Sequence, residues 1–226
     1  MQKDKMPAVD IDIVAVVSGD GLADVFTSLG VALVVPGGQT MNPSTKDILQ
    51  AVEAVNSEKI IILPNNKNVV MTANQVQPLT TKTVEVVPTV TIPQGVAALL
   101  AFDYEADLPT NTQLMEKAIT ATRSIEVTRS VRSTQLGDLK IKKKQPIALL
   151  DGELVTAGKS NSDVISQLLG RIDLERAEVV TLYYGADIDE NKAEEVSAAI
   201  REEYPKLQIE VVRGGQPHYD YIISVE

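Results

Sequence analysis

Short apolar runs rich in β-branched residues recur through the first half of the chain, at residues 12–17, 31–35, 59–63 and 83–87. Each is too short for a helix. The stretches between them, including 45–55 and 68–77, place apolar residues at helical spacing. The pattern predicts strands alternating with helices, and hence a parallel doubly wound sheet. Asn42-Pro43-Ser44-Thr45 marks one helix start: proline holds the preceding residue extended, and Ser44 or Thr45 can cap the helix that follows. Thr91-Ile92-Pro93-Gln94-Gly95 opens another, with proline near its first turn.

The polar, proline-containing segment 105–111 is the expected boundary between an α/β domain over 1–107 and a mixed α+β domain over 108–226. In the second part, 112–122 reads as a helix and 124–132 alternates as a half-exposed strand. The runs LKIKKK and PIALL, punctuated by Gly137 and Asp151-Gly152, predict an antiparallel meander. A helix at 162–171, the strand AEVVTLYYG, a charged helix at 191–203 and the runs LQIEVVRGG and YDYIISVE complete the domain.

Composition narrows the chemistry. With 226 residues, 44% of them hydrophobic, the chain can bury a sizeable core, and two Phe and no Trp leave that core to Val, Ile, Leu and Ala. The absence of Cys excludes disulfides, thiolate metal sites and a cysteine nucleophile, and agrees with a reducing, cytoplasmic setting. A net charge of −10 argues against nonspecific nucleic-acid binding. No run reaches the ~18–20 apolar residues of a transmembrane segment, and the opening MQKDKMPAVD lacks a signal-peptide core. One histidine, His218, cannot build a multi-histidine metal site; it sits in a turn and has no companion at catalytic spacing.

The candidate chemistry lies in loops released by the predicted strands. Ser18, Asp20 and Gly21 follow the first strand; Gly37, Gly38, Gln39, Thr40, Asn42 and Ser44 follow the second; Asn65 and Asn66 follow the third. If the strands are parallel, these loops share the carboxyl edge, where backbone N–H groups and short polar side chains can hold a carboxylate or phosphate. The plainer reading is that Gly, Pro and Asn simply turn the chain between strand and helix. Asp20 is likewise a cap or a ligand. No loop matches a P-loop or G-x-G-x-x-G pattern. No metal ligand set and no catalytic residue is assigned. Arg123, Arg129, Arg132, Lys140, Lys142, Lys143 and Lys144 form a basic cluster suited to an acidic partner or lipid headgroups, or to protecting an exposed sheet edge.

Taken together, VSGDGL, VVPGGQTMNPST, LPNNKNVV with MTANQ, and VVRGGQPHYDYIISVE resemble the C-terminal region of the large subunit of bacterial fatty acid kinase, a dihydroxyacetone kinase-like family. The resemblance covers nearly the whole chain and implies a two-domain fold related to DegV-type fatty-acid-binding proteins. It implies that ATP and magnesium are held by an amino-terminal domain without counterpart here, so that no cofactor belongs to this chain. Two partners are implied: a fatty-acid-binding subunit of the DegV type, and a second copy in a homodimer formed through the full-length kinase. The function implied is a noncatalytic interaction domain that docks the binding subunit while ATP phosphorylates the fatty acid carboxylate for phospholipid synthesis. The alternative is a DegV-like carrier holding an acyl chain itself. Thr40-Met41-Asn42-Pro43-Ser44 is similar to the carboxylate-holding Thr-Ser-x-Pro-Ser loop of those carriers, but Tyr184-Gly185-Ala186-Asp187 stands where they have His-x-Gly-Pro-Gly. Asp187 there would repel a carboxylate.

Overall fold

A computed structural model describes residues 10–38, 41–136, 139–175 and 177–226. Its contacts divide the chain into two compact units, one holding the first strand and Val25–Thr120, the other Ser18–Asp24 and Ala121–Glu226.

In the first unit, β1 (Ile11–Val17), β2 (Leu33–Pro36), β3 (Lys59–Leu63) and β4 (Thr83–Val86) form one sheet in the order β2-β1-β3-β4. All three pairings are parallel. This is the doubly wound sheet expected from the alternating runs. The segments between the strands supply α1 (Asp20–Ser28), α2 (Thr45–Ala54) and α3 (Lys67–Asn74), and β4 is followed by α4 (Ile92–Leu100) and α5 (Leu108–Ala121). Ile48, Val52, Val69 and Ala73 of α2 and α3 pack on Val14, Val16, Ile60 and Ile62 of the sheet, all fully or almost fully buried. Successive residues of β3 are buried on both faces, which is why KIIIL reads as a continuous apolar run.

The boundary expected between 107 and 108 falls inside this unit, which runs to Thr120. The polar segment is not loose, because the fully buried Asn111 pins it. Its Oδ1 accepts from the Asp103 N–H at 2.7 Å, and its Nδ2 donates to the carbonyls of Asp103 at 2.9 Å and Ala106 at 3.1 Å. A polar, proline-bearing stretch thus reads as a linker in sequence and folds as an anchored turn.

The second unit is built on a six-stranded sheet. In chain order its strands are β5 (Arg123–Arg129), β8 (Pro146–Leu150), β9 (Glu153–Ala157), β10 (Val179–Tyr184), β11 (Gln208–Arg213) and β12 (Tyr219–Val225). Their order is β11-β10-β12-β5-β8-β9. The pair β10 and β11 is parallel, and the other pairings are antiparallel. Helices α6 (Asn161–Leu169) and α7 (Glu190–Glu203) cover one face through Val164, Ile165, Leu168, Val196 and Ile200. This matches the mixed α+β reading.

Three local expectations change. Residues 123–129 form an interior strand, and Ser124 and Glu126 are buried along with Ile125 and Val127 rather than half exposed. The expected meander is two separate structures: β6 (Thr134–Leu136) and β7 (Leu139–Ile141) make their own two-stranded ribbon, while PIALL pairs with β5 and β9. Strand β9 is not anticipated by the sequence reading, although Asp151 (φ 51°) and Gly152 (φ 85°) form the left-handed pair that a tight hairpin needs.

Candidate functional site

The carboxyl edge of the parallel sheet is where the candidate loops were expected to converge. Between β1 and β3 the connections leave in opposite directions, and such a switch point is the usual ligand crevice of a doubly wound sheet. Here Asn65, at φ 53°, turns into that position. Its Nδ2 donates to the Val16 carbonyl at 3.1 Å, and its backbone N–H donates to Thr89 Oγ1 at 3.0 Å. Asn65 Oδ1 is buried with no hydrogen-bond partner among the described residues and lies against Gly95, where a Cβ would overlap it. Asn66 caps α3, accepting from the Asn68 N–H at 2.8 Å. Both asparagines therefore tie strand ends and helix starts together.

The loop after β2 is similarly committed. Gly37 donates to the Val17 carbonyl at 3.0 Å, and a Cβ there would meet Pro43 Cδ at 2.7 Å and Val16 Cγ1 at 2.8 Å. Gly38 and Met41 exchange two backbone hydrogen bonds. Ser44 forms a capping box with Asp47: its Oγ donates to Asp47 Oδ2 at 2.7 Å and accepts from the Asp47 N–H at 3.2 Å. These hydrogen bonds from Ser44 hold the Asp47 carboxyl below the usual carboxylate range. Asn42 is exposed. Gln39 and Thr40, both candidate site residues, lie outside the described residues.

Ser18, Asp20 and Gly21 do not join these loops in the first unit; their contacts assign them to the second. The reason is the turn Gly214-Gly215-Gln216 after β11. The Gly214 carbonyl accepts from the Leu22 N–H at 2.8 Å, so a backbone oxygen of the protein occupies a donor in the first turn of α1. Arg213 Nη1 donates to Asp20 Oδ2 at 2.9 Å, and this contact is the main cause of a lowered Asp20 pKa. A Cβ on Gly21 would overlap the Arg213 carbonyl oxygen, and one on Gly19 (φ 110°) would meet Gln216 N at 2.7 Å. Ser18 is half-buried. The two glycine-rich turns are thus packed backbone to backbone. Sequence reasoning missed Arg213 and Gln216 as the partners of this loop, and the paired glycines at 214–215 were the available signal.

Gln216 extends this network. Its Nε2 donates to the Tyr183 carbonyl at 2.8 Å, its carbonyl accepts from the Ala186 N–H at 3.0 Å, and its buried Oε1 has no partner among the described residues. His218 adopts φ 71°, and its carbonyl accepts from Thr128 Oγ1 at 2.6 Å. It lines a cleft of about 300 Å³ with Arg129, Asp187 and Asp220. Within it Arg129 Nε lies 3.1 Å from Asp220 Oδ2, which also accepts from Asn161 Nδ2 at 2.8 Å. The basic cluster divides: Arg123 pairs with Asp151 at 2.9 Å, while Lys140, Lys142, Lys143 and Lys144 share a separate cleft with Arg129 and Lys159. Among the described residues no group of three or more His, Cys, Asp or Glu could hold a metal ion, and no helix is long and apolar enough to cross a membrane.

Chemically, the hydroxyl, amide and carboxylate groups of the candidate loops mostly act as caps and ties. The model of the FakA-like C-terminal family of fatty acid kinases matches residues 12–226. Protein YloV of Bacillus subtilis is 41% identical over 214 residues, which is 95% of this chain and 39% of that protein, so the chain spans well under half of that relative. Among solved structures, a DegV lipid-binding protein of Thermotoga maritima superposes with a TM-score of 0.69 at 10% identity, covering 96% of this chain and 98% of the other. The fatty acid kinase B3 protein of Streptococcus pneumoniae, loaded with linoleic acid, superposes with a TM-score of 0.60 at 12% identity, covering 96% and 99%. At these identities the likeness concerns the fold, which is of the DegV type.

Proposed function

Because the chain belongs to the FakA-like C-terminal family, we propose that it is a noncatalytic interaction domain that docks a DegV-type fatty-acid-binding subunit. The observation that carries this reading is the commitment of the candidate loops. The first turn of α1 receives the Gly214 carbonyl, Ser44 caps α2 and Asn66 caps α3. Groups that would hold a carboxylate in a working carrier are here engaged within the chain, which supports a retained fold used for contact rather than for ligand. In this reading, binding of ATP and magnesium and transfer of phosphate to the fatty acid carboxylate belong to parts of the longer relatives that this chain does not span. The product would be an acyl phosphate entering phospholipid synthesis.

The test is isothermal titration of this chain with a purified fatty-acid-binding subunit, together with mass spectrometry of lipid extracted from the chain alone. Saturable binding of the subunit, with no stoichiometric fatty acid in the extract, is expected. One fatty acid per chain without subunit binding would replace this reading with the carrier.

A further inference from the structure

The lysine cleft of the second unit has no role in the docking reading and is not explained by edge protection alone. It measures about 540 Å³ and is lined by Arg129, Lys140, Lys142, Lys143, Lys144 and Lys159, with Gln145, Pro146 and Gly158. No carboxylate is among the lining residues, in a chain whose net charge is −10. Arg129 is paired with Asp220, whereas none of the five lysine ammonium groups meets a carboxylate in an ion pair among the described residues. All five lysines are exposed.

Gathering like charges on one surface is repulsive and needs an opposing field. The lysines come from separate places in the chain: the ribbon strand β7, the turn after it, and the turn between β9 and α6. Lysines that guard a strand edge would account for Lys140 and Lys142, but not for Lys159. Lys144 adopts φ 67°, a conformation that glycine or asparagine takes at lower cost.

The turn is also held in place. Ser130 N–H donates to the Gln145 carbonyl at 2.9 Å, and Lys144 N–H donates to the Ser130 carbonyl at 2.7 Å. Lys142 N–H donates to Gln145 Oε1 at 2.8 Å and Lys143 N–H to Ser133 Oγ at 3.0 Å. Across the cleft, Gly158 N–H donates to the Pro146 carbonyl at 3.0 Å, and Lys159 N–H donates to Asp163 Oδ2 at 2.7 Å. The stems of the five lysines thus rise from fixed backbone.

We propose that this cleft binds clustered phosphate groups. Lysine ammonium groups act as point charges suited to phosphate oxygens, whereas planar carboxylates are better matched by the fork of arginine. The lining contains no aromatic ring to stack a base and, apart from Pro146, no apolar side chain to anchor an acyl chain or a protein hot spot. The phosphates can come from anionic phospholipid headgroups or from a free multiply phosphorylated small molecule.

The test titrates the whole chain with inorganic tripolyphosphate by calorimetry and measures its co-sedimentation with phosphatidylglycerol and with phosphatidylcholine vesicles. The same is done for the triple variant Lys142→Gln, Lys143→Gln and Lys144→Asn, and for Lys206→Gln as an exposed control outside the cleft. Removing each lysine is expected to weaken phosphate binding roughly fivefold, so that the triple variant binds roughly a hundredfold more weakly. The variant should melt no lower than the parent, since asparagine suits the left-handed position. Saturation by tripolyphosphate without vesicle binding assigns the free phosphate as the source, and selective binding to phosphatidylglycerol assigns the headgroup. Equal binding by the parent and the triple variant would overturn the proposal. Binding of poly-glutamate as tight as that of tripolyphosphate would do the same, by making the cleft a surface for acidic protein.

Discussion

Glu126 makes the folded state sensitive to pH in a direction opposite to that of most carboxylates. It lies on β5 between Leu149 of β8 and Ile222 of β12, is 8% exposed, and its carboxyl has neither a hydrogen bond nor an ion pair among the described residues. Burial disfavours the charged form and pushes its pKa up from 4.5 to about 7. Because the folded-state value lies above the unfolded one, the associated stability is fully present below about pH 4.5 and is lost as pH rises through about 7. At about 1.4 kcal/mol per pH unit, the interval amounts to about 3 kcal/mol. Five of the six tyrosines lie in residues 121–226, so urea unfolding followed by tyrosine fluorescence reports chiefly on the unit that holds Glu126. Between about pH 4.5 and about pH 8, Glu126→Gln should gain about 3 kcal/mol relative to the parent. Both proteins will share the pH dependence of every other group, so the difference isolates this one. Parallel curves for parent and variant across that range would refute the reasoning.

Other substitutions probe the committed loops. Gly21→Ala drives a methyl group into the Arg213 carbonyl oxygen and should cost about 1–3 kcal/mol, read as a lowered urea midpoint. Ser44→Ala removes one half of the capping box on α2 and should cost about 1 kcal/mol, with amide exchange rising first at residues 45–48. Asn111→Ala leaves the Asp103 N–H and the carbonyls of Asp103 and Ala106 without their side-chain partner. It should cost about 1–3 kcal/mol and expose the segment 103–107 to limited proteolysis.

Much of the fold is legible in the chain. The β-branched runs of the first unit lie between helices with marked starts, and a strand covered on both faces must be apolar throughout, so KIIIL could be read without coordinates. The candidate site was less legible. Ser44 and Asn66 were identifiable as polar residues at helix starts, and their side chains are engaged there. By contrast, nothing near Ser18, Asp20 and Gly21 announces that their partner lies 193 residues away in Arg213. Likewise, Glu126 sits in an alternating run that reads as half exposed, because periodicity reports which side chains share a face but not what buries that face.

By itself, then, the sequence determined the elements and their alternation: hydrophobic period, capping residues and left-handed turns act over a few residues. Its composition also set the charge and excluded thiol chemistry. Only the tertiary structure decided the sheet order, the separation of the β6–β7 ribbon from the main sheet, the role of Asn111 as an anchor, and the meeting of the glycine turns at 19–21 and 214–216. It also joined Lys159 to the lysines at 140–144 in one cleft. The physical reason is the same in each case. These contacts join residues remote in sequence, and they form where two backbones can approach closely or where charges from separate turns share one surface, neither of which leaves a local period in the chain.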